Sequence, residues 1–304
     1  MARLIDPVLA DLQVEYASAI STKRRWLALL TGYVAFAKVS LWCGLLGLRE
    51  ARRSWSEEDR QGLLHTLWLT ACAIVIVSVP LWLFEWPSTR DLLESMRDRG
   101  FAPNASLQRL MIYLLPAVLP LGVPVGVAIG AALGARRGVL SNRVIAAVML
   151  FALAMSAGSL ITIGWVTPNS NQAYREAIIG VRWLNKGDRE MTLIELRRSL
   201  AMKDQEGARR VLLEFHQRLS FALAPMTFAA FGLMLAIGRR PRVMSAVGVV
   251  CVVAFGYYIV MWFGRGLGKD AVLPPQLGAW LPQIALILTT ILVGVPRTFI
   301  RTRA

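Results

Sequence analysis

Six apolar, nearly charge-free runs punctuate this chain, at about 64–86, 110–134, 144–166, 219–238, 243–263 and 278–296. Each is close to the twenty residues a helix needs to cross a hydrocarbon core. The pattern predicts an all-α, polytopic membrane protein with six transmembrane helices. An N-terminal amphipathic or interfacial helix and a short helical extramembrane stretch between the third and fourth spans complete the expected fold. Trp82 and Trp86 suit the end of the first span as interfacial anchors.

The second run has the most internal order. Leu110 to Gly134 is 25 residues without a charge, roughly 37 Å as a helix. Pro116, Pro120 and Pro124 recur every fourth residue, and so do Gly122, Gly126, Gly130 and Gly134. A period of four keeps each set near one helix face. The prolines release backbone carbonyls that neighbouring groups must satisfy inside a membrane. The glycines form a groove into which another backbone can pack. Two readings stay open: a tightly packed central helix, or a hinge beside a moving gate.

Residues 26–48 are apolar enough to span, but Lys38 sits in the middle of the run and basic residues flank both ends. A helix lying in the cytoplasmic interface and a seventh span are both compatible with this. The first apolar run begins at Trp26 with no small-residue cleavage site after it, so no cleavable signal peptide is expected. The organisation reads as 1–63, a cytoplasmic or interfacial segment; 64–166, spans one to three; 167–215, an extracytoplasmic helical loop; and 216–304, spans four to six with a basic tail.

The composition is 56% hydrophobic with a formal net charge of +15, and the mean hydropathy is +0.51. In a soluble chain that charge would suggest nucleic acid. Here arginines at the headgroup level explain it, and no nucleic-acid module is visible. Arg136, Arg137 and Arg143, then Arg239, Arg240 and Arg242, then Arg297, Arg301 and Arg303 occupy short links and the tail on one side. That side, with both termini, is expected to be cytoplasmic. The interval 167–215 opposite them mixes nine Lys/Arg with seven acids. Within it, Thr192 and Glu195 have the spacing of a capping box.

Little in the chain suggests catalysis. Two histidines, His65 and His216, exclude a His-rich metal site, and Cys43, Cys72 and Cys251 lie in apolar runs as packing residues. No phosphate-binding P-loop, zinc-protease or serine-hydrolase motif occurs, so no cofactor or metal is expected. Gly264-Arg-Gly-Leu-Gly268 follows an apolar helix and reads as a membrane-exit turn. The Glu214-Phe-His216-Gln-Arg218 cluster is either a solvated interfacial charge group or a contact for an anionic lipid headgroup, in which Arg218 would supply its planar fork and His216 would lie beside it.

Several segments together resemble the LptF/LptG (YjgP/YjgQ) permease family. They are LLPAVLPLGVPVGVAIGAALG, ITIGWVTPNSN, MTLIELRRSL, EFHQRLSFALAPMTFAAFGLMLAIGRR and GYYIVMWFGRGLGKDAVLPPQLGAWLPQIALIL. The resemblance implies a bacterial inner-membrane lipid permease, involved in lipopolysaccharide export and not an enzyme. It further implies a homo- or heterodimer with a similar permease and recruitment of a cytoplasmic ABC ATPase. Lipid would enter laterally between the first and fifth spans of the partners, making 64–86 and 243–263 the gate helices. Arg218 and Pro225 match the family's basic residue and proline at the start of the fourth span.

Two departures from the family pattern stand out. The interval 167–215 is 49 residues, where family members carry a periplasmic β-jelly-roll. The link ARRGVLSNR replaces a coupling helix with an acidic residue, leaving Arg136, Arg137 and Arg143 as candidate contacts for a cytoplasmic partner. A scaffold or regulator that keeps the fold without transporting is therefore the alternative function.

Overall fold

The computed structural model describes residues 56–98, 106–135, 142–179, 186–200, 204–239 and 242–294. The question of whether 26–48 spans or lies on the membrane falls outside them, as do Lys38, Arg136 and Arg137. Among the described residues all regular structure is helical, and six helices are long and apolar enough to cross a membrane. The all-α, six-span expectation therefore holds.

In chain order the helices are α1 (Glu57–Asp98), α2 (Leu107–Gly134), α3 (Asn142–Ile161), α4 (Thr167–Ile179), α5 (Leu193–Ser199), α6 (Gln205–Arg239), α7 (Val243–Lys269) and α8 (Pro275–Gly294). A π-turn, Thr162–Val166, joins α3 to α4, and a 3₁₀ turn, Asp188–Glu190, precedes α5. Helix α1 has 42 residues, about twice what a hydrocarbon core requires. It runs through Pro87 into a polar end where Arg90 and Glu94 pair at 2.9 Å, well beyond the expected limit at Trp86. The third span likewise continues past Val166. Pro168 has no N–H to give, and the π-turn absorbs the misfit, with Thr167 N–H bonded to Thr162 O. The apolar rod passes into α4 without a break.

Two helices form the centre. The spanning window of α2 is 56% buried and that of α6 is 61%, against 17% for α1 and 22% for α7. Helix α2 packs on α1 and α6, α3 packs on α6, and α8 lies against both α6 and α7. Phe228 and Phe231 of α6 are fully buried among Ala128 of α2, Val250 and Tyr257 of α7 and Leu286 of α8. Phe228 and Tyr257 meet edge-to-face at 5.3 Å.

The ends of these helices follow local chemistry. Asp204 opens α6 by accepting Gly207 N–H at 3.0 Å through its side chain. Helix α7 ends where Ala271 turns left-handed, at φ 66. Val272 N–H and Leu273 N–H then return to Leu267 O at 3.1 Å, which satisfies the end of the helix and turns the chain toward Pro274 and α8.

Candidate functional site

Arg218 lies on α6 beneath the 186–192 turn and is 5% exposed. Its Nε donates to Glu214 Oε1 at 3.1 Å, one terminal nitrogen to Met191 O at 2.5 Å, and the other to Asp188 O at 3.0 Å. The guanidinium is thus a clasp between α6 and the turn. His216 is also engaged: its Nδ1 accepts Trp280 Nε1–H from α8 at 3.3 Å, and its ring stands edge-on to Phe215. These partners tie the cluster to the protein interior, in an arrangement unlike an exposed headgroup contact.

Further ion pairs fix the same turn. Glu190, itself buried, pairs with Arg175 of α4 at 2.7 Å and accepts Gly187 N–H at 3.1 Å. Lys186 pairs with Glu195 at 2.8 Å. Thr192 and Glu195 exchange the two bonds of a capping box at the start of α5. The Lys186 hydrogen bond, and after it the Thr192 backbone N–H, hold the Glu195 carboxyl below the ordinary glutamate range. Glu214 has a second partner, Arg265 of α7, at 3.2 Å. The turn is therefore anchored to α4, α5 and α6, and through Glu214 it is linked to the end of α7.

Inside the bundle, the glycine face of α2 meets one stripe of α1. A Cβ on Gly122, Gly126, Gly130 or Gly134 would collide with Ser78, Ile74, Thr70 or Thr66 respectively. The stripe on α1 has the same four-residue period, run in reverse. Thr66 and Thr70 turn their hydroxyls back to Gly62 O and Thr66 O at 2.8 Å, so both polar groups are satisfied within their own helix. On another side of α2, Gly232 of α6 approaches Ala128 O closely enough to exclude a side chain.

The proline half of α2 is bonded from outside. Pro120 has no N–H, so Pro116 O loses its helical donor, and Thr167 Oγ1 supplies one at 3.0 Å. Trp82 Nε1 donates to Met111 O at 2.8 Å and Tyr258 OH to Leu121 O at 2.6 Å. Three carbonyls of α2, Met111 O, Pro116 O and Leu121 O, thus receive donors from α1, α4 and α7, and of these Pro116 O is the one that a proline deprives of its helical donor.

Residues 183–294 match the family model of the lipopolysaccharide export system permease LptF/LptG. This segment is similar to that family. It contains the 186–192 turn and all of α5 to α8, while α1, α2, α3 and α4 lie outside it. The family is one of transporter subunits rather than enzymes. No curated protein matches the chain.

The matched segment contains both the Arg218 clasp and a buried polar network around Pro225. Gln283 of α8, 2% exposed, donates to Ser220 O at 2.5 Å and accepts Thr227 Oγ1–H at 2.9 Å. Met226 N–H reaches Ser156 Oγ of α3 at 3.1 Å. These bonds join α3, α6 and α8 where the proline interrupts α6. Gly264 and Gly278 let α7 and α8 touch backbone to backbone. Reading by residue type missed Gln283 and the α1 stripe, because neither carries a charge or a motif. The four-residue spacing of Thr66, Thr70, Ile74 and Ser78 was the available signal.

The same packing leaves one side of α1 and of α7 outward. Trp68, Ile76 and Phe84 on α1 are exposed, as are Val252, Phe255 and Trp262 on α7. Arg143 stands exposed at the start of α3, and its expected companions Arg136 and Arg137 lie outside the described residues.

Proposed function

We propose that this LptF/LptG-family membrane permease moves or presents a lipid or lipopolysaccharide-type amphiphile. It does so as a homo- or heterodimer with a similar permease, and a separate cytoplasmic ABC ATPase supplies energy. The observation that carries the reading is the LptF/LptG match over 183–294, which includes α7, a helix whose outward side is apolar. On this reading α1 and α7 are the gate helices, and their outward faces meet lipid tails or the partner permease. The termini are cytoplasmic, the stretch 167–215 is extracytoplasmic, and Arg136, Arg137 and Arg143 meet the cytoplasmic partner. The protein resides in a bacterial inner membrane.

Arg218 and His216 contribute indirectly. Arg218 holds the extracytoplasmic turn against α6 and His216 ties α6 to α8, and the proline and glycine residues of α2 set the spacing of α1 from the core. The test is affinity purification of the full chain in mild detergent. An ABC ATPase and stoichiometric lipid should accompany it. Repeated isolation with neither would sink the reading. It would favour a non-transporting scaffold or regulator, which the short interval 167–215 and the acid-free link ARRGVLSNR also suit.

A further inference from the structure

We propose that the His216–Trp280 hydrogen bond is a pH-sensitive latch between α6 and the start of α8, closed while the imidazole is neutral and opened when it takes a second proton. Trp280 Nε1–H donates to His216 Nδ1 at 3.3 Å. An indole nitrogen can only donate, so the bond exists only while Nδ1 keeps its lone pair. The neutral ring therefore carries its proton on Nε2. Protonation puts an N–H on Nδ1 as well, and two donors then face each other. Flipping the imidazole does not help, because it presents a second N–H to the indole.

The latch is the outer rung of a short ladder. His216 and Ser220 stand four residues apart on α6, and Trp280 and Gln283 stand three apart on α8, so each pair shares one helix face. Gln283 Nε2 donates to Ser220 O, and Gln283 Oε1 accepts Thr227 Oγ1–H at 2.9 Å. Amide, hydroxyl and carbonyl groups do not titrate near neutral pH, so acid acts on the outer rung alone. The start of α8 does not move by itself. Gly264 and Gly278 bring α7 and α8 into backbone contact, and Gly268 of α7 lies close to Gly278. Opening the latch therefore loosens the joined ends of α7 and α8 from α6, with the Arg265–Glu214 pair and the Gln283 bonds still in place.

The surroundings suit a switch in the acid direction. His216 precedes the apolar run 219–238 and is partly buried, and burial lowers its pKa from the ordinary histidine value. On its own helix, Glu214 is paired with Arg218 and with Arg265 of α7. On the 186–192 turn Glu190 is paired with Arg175, and on α5 Glu195 is paired with Lys186. Asp188 and Arg189 on the turn, Arg197 and Arg198 on α5, and Lys269 and Asp270 at the end of α7 complete the charges of these elements, while α8 carries no ionisable side chain. A released ring binds its proton near the ordinary value of about 6.5, and the latched ring binds it more weakly. The latch is therefore at full strength above about pH 6.5 and loses strength as pH falls below it. On the proposed placement of 167–215 this end of the bundle meets extracytoplasmic water and α7 is a gate helix; the inference rests on that reading for what the latch controls, and not for the latch itself.

The experiment is histidine-selective NMR of the full chain in detergent micelles, titrated from about pH 8 to about pH 5 across the histidine range. Hydrogen exchange of amides 277–281 is followed in parallel, corrected for intrinsic exchange and set against 284–290 of the same helix. The chain has two histidines, so His65→Gln leaves the His216 signal alone. At the alkaline end Nδ1 should be the unprotonated nitrogen, and exchange at 277–281 should accelerate by about fivefold as the ring titrates. Trp280→Phe removes a donor that favours the neutral ring and should raise the titration midpoint by about half to one pH unit. His216→Gln keeps an acceptor for the indole without a titrating group, so exchange at 277–281 should stay slow at every pH. An Nδ1–H tautomer at the alkaline end, a midpoint unmoved by Trp280→Phe, or acid loosening that survives in His216→Gln would overturn the proposal. None of these readouts depends on lipid or ATPase, so the latch and the permease reading can fail separately.

Discussion

Gly126→Ala adds a single methyl group at the centre of the α1–α2 contact, and its effect can be worked from the geometry. The new Cβ would lie 2.6 Å from the Cα, the N and the Cγ1 of Ile74. Ordinary carbon contact begins at about 3.5 Å, so the helices must part locally by about 1 Å. Two of the three atoms are backbone, and no rotamer change can move them. Overpacking of this kind costs about 1–3 kcal/mol, and it outweighs the gain of about 0.5–1 kcal/mol from replacing a helical glycine by alanine. Gly248 and Gly256 on α7 supply the internal control, since a Cβ on either meets nothing within 4 Å. There the propensity gain acts alone, so Gly248→Ala and Gly256→Ala should be neutral or stabilising.

Gly134 sharpens the test because its obstacle is of another kind. The three atoms nearest its Cβ would all belong to the Thr66 side chain. Thr66→Gly should therefore rescue Gly134→Ala, leaving a residual loss of about 0.5–1 kcal/mol for a glycine inside α1. Ile74→Ala should not rescue Gly126→Ala, since the Ile74 backbone stays where it is. The assay is the melting midpoint of the purified chain in detergent, read as two double-mutant cycles. If Gly126→Ala melts like Gly256→Ala, or if both cycles behave alike, the close backbone approach of α1 and α2 is refuted.

Arg218→Ala should destabilise by about 3 kcal/mol, because Glu214 loses its buried partner although Arg265 remains; limited proteolysis should show new cleavage in 186–203, and Arg218→Lys should fail to restore resistance. Gln283→Ala removes the bonds to Ser220 O and Thr227 Oγ1 and should lower stability by about 1–3 kcal/mol, measured by the same melting assay. Ala271→Gly relieves a left-handed alanine at φ 66 and should raise stability by up to about 1 kcal/mol. The Glu195 carboxyl titrates below its ordinary range, so its contribution is complete above that range and is lost as pH falls through the lowered folded value. Hydrogen exchange at Glu195 and Leu196 should therefore accelerate below about pH 4 relative to α6, an acid-side effect that Glu195→Gln removes.

The bundle was legible because a membrane span is written in length and charge alone, and both survive without knowledge of neighbours. Helix ends were less so. Trp86 and Val166 look like limits, yet α1 runs through Pro87 and the third span runs through Pro168, because a π-turn and a polar helical extension absorb what a proline removes. The role of Arg218 was hidden for a related reason. A sequence places it one turn after Glu214, but its acceptors Asp188 O and Met191 O are main-chain atoms about thirty residues away. Nothing in their side chains announces them. His216 depended in the same way on Trp280. By contrast, the four-residue periods in α2 are visible in the sequence, and a stripe of α1 with the same period lies close against the glycines.

The prolines of α2 and the 186–192 turn pose one physical problem at two depths. Each leaves main-chain carbonyls without helical donors, and a missing partner is worth more in a low-dielectric interior than at a wet surface. At the turn, next to water, a charged guanidinium spans two carbonyls, and its own charge is balanced by Glu214. Along α2 the outside donors are neutral: a threonine hydroxyl at the proline-freed Pro116 O, and an indole and a phenol at Met111 O and Leu121 O. A cation at that depth would need its own counter-charge, and α2 carries none from Leu110 to Gly134. The donors also come from three different helices, so displacing α1, the α3–α4 rod or α7 breaks a bond to α2. Any motion that spreads α1 from α7 must then either carry α2 along or exchange those bonds for others. The interior of the bundle therefore resists slow drift and favours movement of whole helices between discrete positions.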